Sequence, residues 1–182
     1  MEFFVFDVVT MRFNVAQLLR SPVGSERRYE LADDITGIDD SITVLGPLTG
    51  KIRLLRTSDG ILVTGRLHTV VSIPCRRCLE AFAQAAEVSL EEQFCPSIDI
   101  YTGVGIPPED TEEAANRIDG HHLLDLTEVV RQNLLLALPM SPLCKPDCLG
   151  LCPVCGANLN IESCGCHPEM SDPRLESLHQ LL

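Results

Sequence analysis

Cysteines gather in one stretch near the end of the chain. Six of the nine lie there: Cys144, Cys148, Cys152, Cys155, Cys164 and Cys166. Cysteines at this density form disulfides, bind metal or carry redox chemistry. Within the stretch, Cys152-Pro-Val-Cys155-Gly has the spacing of a metal knuckle, and Gly156 lets the backbone fold back so that amides face the sulfurs. The pattern predicts structural zinc.

Three other chemistries fit the cysteines less well. Disulfides require an oxidising compartment, and the apolar start of the chain carries Glu2 and Asp7 without the basic lead of a secretory signal. The spacing from Cys148 to Cys155 occurs in radical iron–sulfur enzymes, but their barrels take about 200 residues or more. A thioredoxin-like pair should open a helix, whereas proline-rich sequence surrounds this one. We expect reduced thiols in a cytoplasmic protein without a membrane span.

Another knuckle, Cys75-Arg-Arg-Cys78, comes earlier in the chain, so we call it the first knuckle and Cys152–Cys155 the second. It falls between two predicted strands, as in zinc ribbons. Cys95 has no near partner and is expected in the core. The other eight cysteines suffice for one or two zinc ions. One scheme joins Cys75 and Cys78 with Cys152 and Cys155, and leaves the other four tail cysteines for a second site. A competing scheme places a single zinc within the tail, and the sequence leaves both open.

Alternating apolar residues predict an antiparallel β-meander of at least three strands, over residues 42–56, 61–73 and 81–94. Ser58-Asp-Gly60 is typical of a hairpin turn. In the second strand four apolar residues share one face, and Arg66 and His68 lie on the other. The four are Ile61, Val63, Leu67 and Val71.

Helical spacing predicts one main helix over residues 126–138, with Asp125 and Glu128 as a capping box and Pro139 as its stop. Shorter helices are predicted over residues 15–20 and 172–182, and a short strand over residues 3–9. The predicted class is therefore α+β, a β-meander packed with one main helix plus a C-terminal cysteine-rich zinc-knuckle segment.

Three regions follow from these elements. Residues 1–95 are expected to form a β-rich domain that carries the first knuckle, and residues 96–122 a flexible acidic linker. Residues 123–182 supply the helix and the zinc-binding tail, which should pack on the first domain. Met11 is a second candidate start, which leaves the status of residues 1–10 open.

Charge is unevenly distributed along the chain. The net charge is −12, and residues 81–182 hold four basic and sixteen acidic groups. A basic strip nevertheless runs through the β region, where RNA contact competes with a solvated sheet face as the explanation. The strip comprises Lys51, Arg53, Arg56, Arg66, Arg76 and Arg77. No aromatic platform accompanies it, so base stacking is not expected.

Several motifs in order resemble the large ribosomal RNA subunit accumulation protein family, of YceD type. They are Asn14-Val-Ala-Gln-Leu-Leu-Arg20, Cys75-Arg-Arg-Cys78-Leu-Glu-Ala-Phe82, the helix from Asp125 to Pro139, the tail from Cys144 to Asn160, and Asp172-Pro-Arg174. The resemblance implies a non-enzymatic factor for accumulation or maturation of large-subunit (23S) ribosomal RNA and for assembly of that subunit. Its implied partners are ribosomal RNA or a precursor particle.

Two other functions stay open. The acidic half would suit a protein-interaction module that escorts a basic large-subunit ribosomal protein. A ribosomal RNA-processing enzyme is the other, but no paired carboxylates, nucleophile–histidine set or open metal site shows in the sequence. We therefore expect no enzyme activity and no small-molecule substrate.

Overall fold

The computed structural model describes residues 11–107 and 116–166. Contacts within the chain group it into two compact units. The first consists of Met1–Ile73 and Ala83–Met140, and the second of Pro74–Phe82 and Ser141–Leu182. The division of the chain into regions 1–95, 96–122 and 123–182 stays a prediction.

The described residues contain eight strands and two helices. In chain order they are β1 (Arg12–Asn14), α1 (Ala16–Arg20), β2 (Glu26–Asp33), β3 (Thr43–Val44), β4 (Leu48–Arg56), β5 (Ile61–Pro74), β6 (Ala81–Pro96), β7 (Arg117–Ile118), β8 (Leu123–Asp125) and α2 (Thr127–Ala137). The main sheet has the order β2-β4-β5-β6-β7, with β3 paired to β5, and β1 pairs with β8 separately. The pairs β1–β8, β2–β4, β3–β5 and β4–β5 are antiparallel, and β6 pairs with β7 in parallel.

The predicted α+β class is confirmed, with a mostly antiparallel sheet and two helices, α1 of five residues and α2 of eleven. The finer prediction, that one main helix packs on the meander, stays a prediction. None of the helices in the described residues has the length and apolar content that a membrane span requires.

The core of the first unit follows the period-two pattern of β5. Ile61, Val63, Leu67 and Val71 are all fully buried. Arg66 and His68, which point the other way, are exposed. Because successive strand residues face opposite sides of a sheet, the alternation in sequence fixed which side chains form the core.

Residues inside the predicted linker form regular structure on both sides of the undescribed residues 108–115. Ile98 and Gly105 pair across a small hairpin, which we call the 97–106 hairpin. The Asp99 carboxylate holds its turn by accepting hydrogen bonds from the amides of Tyr101 and Thr102, at 3.0 and 2.7 Å. After the undescribed residues, β7 adds to the sheet and buries Ile118 completely.

The start of α2 differs from the expected capping box. Asp125 Oδ1 accepts a hydrogen bond from the Thr127 amide at 2.9 Å. Glu128 instead pairs with Arg131 at 2.7 Å, because a cation three residues ahead competes for its carboxylate. The predicted strand over residues 3–9 and helix over residues 172–182 lie outside the described residues.

Candidate metal centre

The first knuckle belongs to a group of four sulfurs in the second unit. Cys75, Cys78, Cys144 and Cys148 lie within 4.8 Å of one another, and we call them tetrad one. Their Sγ atoms are 3.8 Å apart for Cys75 and Cys148, and 3.6 Å apart for Cys78 and Cys144. A zinc tetrahedron with Zn–S bonds of about 2.3 Å has edges of about 3.8 Å. The sulfur spacing therefore fits a closed four-thiolate metal site.

The second knuckle belongs to another group of four, tetrad two. Cys152, Cys155, Cys164 and Cys166 also lie within 4.8 Å of one another. All nine cysteines fall in the described residues and none forms a disulfide. Cys95 is half-buried and belongs to neither tetrad.

The structure groups the sulfurs differently from both schemes considered for the sequence. Cys75 and Cys78 lie with Cys144 and Cys148, and not with the second knuckle. The chain makes this possible at Gly150, whose φ of 78° is in the left-handed region. A Cβ there would lie only 3.2 Å from the carbonyl oxygen of Arg77, so the tail could not approach the first knuckle as closely with a larger residue.

The two knuckles repeat one backbone geometry. The Arg77 amide donates to Cys75 Sγ and the Val154 amide to Cys152 Sγ, each at 3.4 Å. Each turn is closed by a second bond to the carbonyl oxygen of its first cysteine, from Leu79 and Gly156, both at 2.9 Å. Amides that point at sulfur lower the cost of gathering thiolates, as the knuckle pattern predicted.

The residue after each knuckle must adopt a left-handed conformation. Gly156 does so at φ 75°, which costs a glycine little. The equivalent position in the first knuckle is Leu79, at φ 61°. A side chain in this region is strained, and that of Leu79 is 66% exposed, so little burial offsets the strain.

Asn160 contacts tetrad one from outside. Its Nδ2 donates to Cys148 Sγ at 3.3 Å and to Asn158 Oδ1 at 2.9 Å. Its Oδ1 accepts from the Leu149 amide at 3.0 Å. The sequence reasoning gave this residue no role, although an asparagine pair directly after a knuckle is a usable signal for side-chain bonds to sulfur.

Within each tetrad the earlier cysteine of the knuckle has a lowered pKa, and one cysteine outside the knuckle has a raised pKa. A hydrogen bond from the Cys78 amide is the main cause that lowers the pKa of Cys75 to about 6. The Cys155 amide likewise lowers the pKa of Cys152 to about 6. Burial, followed by the neighbouring sulfurs, raises the pKa of Cys144 to about 12. Without a cation, four sulfurs this close keep some of their protons, so a metal ion would replace protons here.

Three basic residues of the predicted strip are engaged within the first unit. Lys51 pairs with Glu30 at 2.9 Å, and Arg53 with Glu26 at 3.6 Å. The Arg56 guanidinium donates to the carbonyl oxygens of Leu19, Thr57 and Gly60. Arg66 is exposed on the outer face of β5.

The two remaining basic residues, Arg76 and Arg77, lie in the first knuckle of the second unit and are exposed. The Arg76 amide donates to the Pro142 carbonyl at 2.8 Å. Arg77 Nη1 donates to the carbonyl of Cys148 at 2.9 Å, so this side chain also ties the knuckle to a cysteine of its own tetrad.

An α+β chain with two four-sulfur clusters belongs to the class of small cysteine-rich proteins whose clusters could hold metal ions. Its residues 63–182 match the family described as "Large ribosomal RNA subunit accumulation protein YceD". The chain belongs to this family, as its motifs predicted.

The chain is similar to bacterial and plant proteins. The chain is 33% identical over 135 residues to an uncharacterized protein of Mycobacterium tuberculosis, across 72% of this chain and 60% of that protein. It is 27% identical to the "Large ribosomal RNA subunit accumulation protein YCED homolog 1, chloroplastic" of Zea mays, across 67% of this chain and 49% of the relative. It is 25% identical to uncharacterized YlbN of Bacillus subtilis, across 94% and 96%.

The chain thus spans about 60% of the length of its Mycobacterium tuberculosis relative. No solved structure matches it.

Proposed function

We propose that this protein is a non-enzymatic cytoplasmic factor that supports accumulation of large-subunit (23S) ribosomal RNA and assembly of the large subunit. The observation that carries the proposal is the family match, which covers residues 63–182 and includes both tetrads. The maize relative is named for the same role. The proposed partner is ribosomal RNA or a particle that precedes the large subunit.

We further propose that each tetrad holds one structural zinc ion, bound by its four cysteine sulfurs. A tetrahedral four-sulfur set suits zinc or iron, and zinc adds no redox chemistry. With four protein ligands no position would be left for substrate, which supports a role without catalysis. In the second unit the described core cluster is built from Cys75, Cys78 and Cys148 themselves, so metal binding would supply much of its folding free energy.

Arg76 and Arg77 are the proposed principal RNA contacts. A metal-fixed turn would hold both exposed arginines where they can bind phosphate or a base edge. On the first unit, Lys51, Arg53 and Arg66 are proposed as weaker contacts, because nearby carboxylates partly neutralise the first two. The Arg56 side chain supports the β4–β5 turn through its hydrogen bonds to carbonyl oxygens, so we propose a structural role for it.

Metal content and ribosomal RNA level test the first two proposals together. Natively purified protein should contain two zinc ions per chain by elemental analysis. Cys148→Ser should remove one ion and lower large-subunit ribosomal RNA in cells that depend on this gene. Cys95→Ser is the matched control, since Cys95 lies outside both tetrads and should change neither quantity. Protein purified without zinc would contradict the zinc proposal. Normal levels of large-subunit ribosomal RNA with Cys148→Ser would contradict the ribosomal RNA proposal.

RNA binding by the first knuckle has its own test. The double variant Arg76→Ala and Arg77→Ala should weaken binding to large-subunit ribosomal RNA and reduce the salt dependence of its affinity by about two phosphate contacts. Arg20→Ala, an exposed arginine outside the strip, should leave both unchanged. Because Arg77 also bonds to the Cys148 carbonyl, zinc content must be the same in all variants. Unchanged affinity in the double variant would remove the knuckle from the RNA interface.

A second candidate function is escort of a basic ribosomal protein. It is favoured by the charge of residues 81–182, which hold four basic and sixteen acidic groups. Escort predicts that a basic large-subunit protein co-purifies with the chain and stays bound after RNase treatment. Release of that protein by RNase would leave RNA as the direct partner.

A further inference from the structure

A wide groove opens on the surface of the first unit. Its volume is about 880 Å³, within the range of about 300–1,000 Å³ that ligand sites occupy. The groove is formed by both helices, the β4–β5 turn, the end of β6 and the 97–106 hairpin. Residues that characterise its walls are Leu19, Glu92, Tyr101, Ile106, Asn116 and Leu136.

The apolar walls of the groove are exposed. Leu136 on α2 is 82% exposed and Tyr101 on the hairpin 75%, although both are large hydrophobic side chains. Hydrogen bonds to Asp99 hold the turn that carries Tyr101. Val104, also in this turn, is exposed as well. Several exposed apolar side chains around a wide groove suit a polypeptide segment better than a small molecule.

The charged groups along the groove leave it negative. Asp59, Glu92 and Asp99 line it, and Arg56 is its one basic residue among the described residues. The Arg56 guanidinium is already engaged, since it donates to the carbonyl oxygens of Leu19 at 3.2 Å and Gly60 at 2.9 Å. The groove therefore favours a cation and repels phosphate.

One buried acceptor in the lining has no partner among the described residues. Asn116 Nδ2 donates to Glu92 Oε2 at 3.1 Å, which orients the amide. Its Oδ1 is buried and accepts no hydrogen bond from residues 11–107 or 116–166. Buried polar atoms in folded proteins are nearly always satisfied, so a hydrogen-bond donor is missing at this wall of the groove.

We infer that this groove binds a basic polypeptide segment of another protein, with one large apolar side chain between Tyr101, Ile106 and Leu136. Lysine or arginine residues beside that side chain would lie against Asp59, Glu92 and Asp99. The inference gives the second candidate function a binding surface. It does not depend on the ribosomal RNA role, because every residue it uses lies in the first unit, whereas both tetrads lie in the second.

Fluorescence anisotropy with three short labelled peptides tests the inference on the full, metal-loaded chain. One peptide is lysine-rich with a central phenylalanine, the second has serine for that phenylalanine, and the third has glutamate for the lysines. Only the first should bind well. Leu136→Lys should weaken its binding by at least about tenfold, since a central apolar contact is lost and a like charge is introduced.

Leu45→Lys is the matched control, because Leu45 is an exposed leucine of the same unit outside the groove. It should leave peptide affinity unchanged, and Tyr101→Ser should reproduce the loss seen with Leu136→Lys. Equal binding of the serine peptide, or equal loss in the Leu45→Lys control, would show attraction by net charge alone and overturn the inference. A short RNA that displaces the peptide and loses affinity with Leu136→Lys would overturn the assignment to a protein partner.

Discussion

Replacing Asn160 tests whether a hydrogen bond from outside the cluster tunes metal affinity at tetrad one. Asn160→Ala removes the Nδ2 donor that lies 3.3 Å from Cys148 Sγ. A hydrogen bond to a charged acceptor contributes about 1.5–3 kcal/mol. The other Asn160 side-chain bonds, to Asn158 and Leu149, join protein groups alone, so in the simplest case they contribute equally with and without metal.

The affinity of tetrad one for zinc should therefore fall by about 10- to 100-fold, which is the usual effect of losing a hydrogen bond to a metal ligand. At about 1.4 kcal/mol per tenfold change, this range agrees with the energy of one charged hydrogen bond. Asn160→Asp should weaken binding further, because a carboxylate cannot donate to sulfur and adds negative charge beside thiolates.

A chelator competition titration of the full chain measures the effect. Two zinc ions should leave in two steps, and Asn160→Ala should shift the step that belongs to tetrad one by the amount above and the other step by less. Glu162→Ala, an exposed side chain two residues further along, should shift neither step. If both steps shift equally, or neither moves, the bond between Asn160 and Cys148 does not tune the site.

Three further predictions concern the backbone and the acid stability of the chain. Leu79→Gly should raise the free energy of unfolding of the metal-loaded protein by about 0.5–1 kcal/mol in denaturant titrations, because relief of a left-handed leucine exceeds the entropic cost of glycine. Gly60→Ala should lower the free energy of unfolding by about 1–3 kcal/mol, because the added Cβ would collide with the Phe94 carbonyl. A Cβ at Gly46 meets no atom within 4 Å, so Gly46→Ala should leave the free energy of unfolding unchanged. Hydrogen bonds from the hydroxyl and amide of Ser41, and then from Arg131, lower the pKa of Asp39 to about 2, so this stabilisation is complete above about pH 4 and is lost as the pH falls through about 2. Asp39→Asn should flatten that part of the stability curve measured by urea unfolding.

Strands buried on one face could be predicted from the sequence, because alternation is strict there. Every apolar residue assigned to the inner face of β5 is buried. The strand β2 was missed for the opposite reason. Its residues Glu26–Asp33 include five charged side chains, and Leu31 alone in this strand is buried. Pairing with β4, and ion pairs such as Glu30 with Lys51, stabilise this edge in ways that only the partner strand reveals.

The knuckles could also be predicted, because two residues between cysteines fix a local turn. The partner of each knuckle could not. A spacing rule says how two sulfurs approach one ion, whereas the grouping of pairs depends on the path of residues 144–151. That path uses the left-handed Gly150 and the bond from the Leu151 amide to the Arg77 carbonyl at 3.2 Å. Both depend on contacts distant in sequence, which spacing alone does not encode.

The tetrads share the segment that leaves the second knuckle, and this predicts coupled metal binding. Residues 157–160 bond back to the chain between the tetrads, through Leu159 to the Gly150 carbonyl at 2.9 Å and through the bridge of Leu151 with Asn158. Asn160 then reaches Cys148 in tetrad one. Metal in tetrad two would hold this segment in place and so favour binding at tetrad one, and thermodynamic linkage makes the effect reciprocal.

Cys155→Ser, which removes one sulfur of tetrad two, should therefore weaken zinc binding at tetrad one by about 5-fold or more, and Cys78→Ser should weaken tetrad two by a similar factor. In the Asn160→Ala background the coupling should shrink, because the bond that carries it is gone. Chelator competition measures this cycle on four proteins: the unchanged chain, Cys155→Ser, Asn160→Ala and the double variant that carries both changes. Equal coupling with and without Asn160 would place its origin elsewhere in the second unit, and zinc affinity at tetrad one that ignores Cys155→Ser would show that the two sites bind independently.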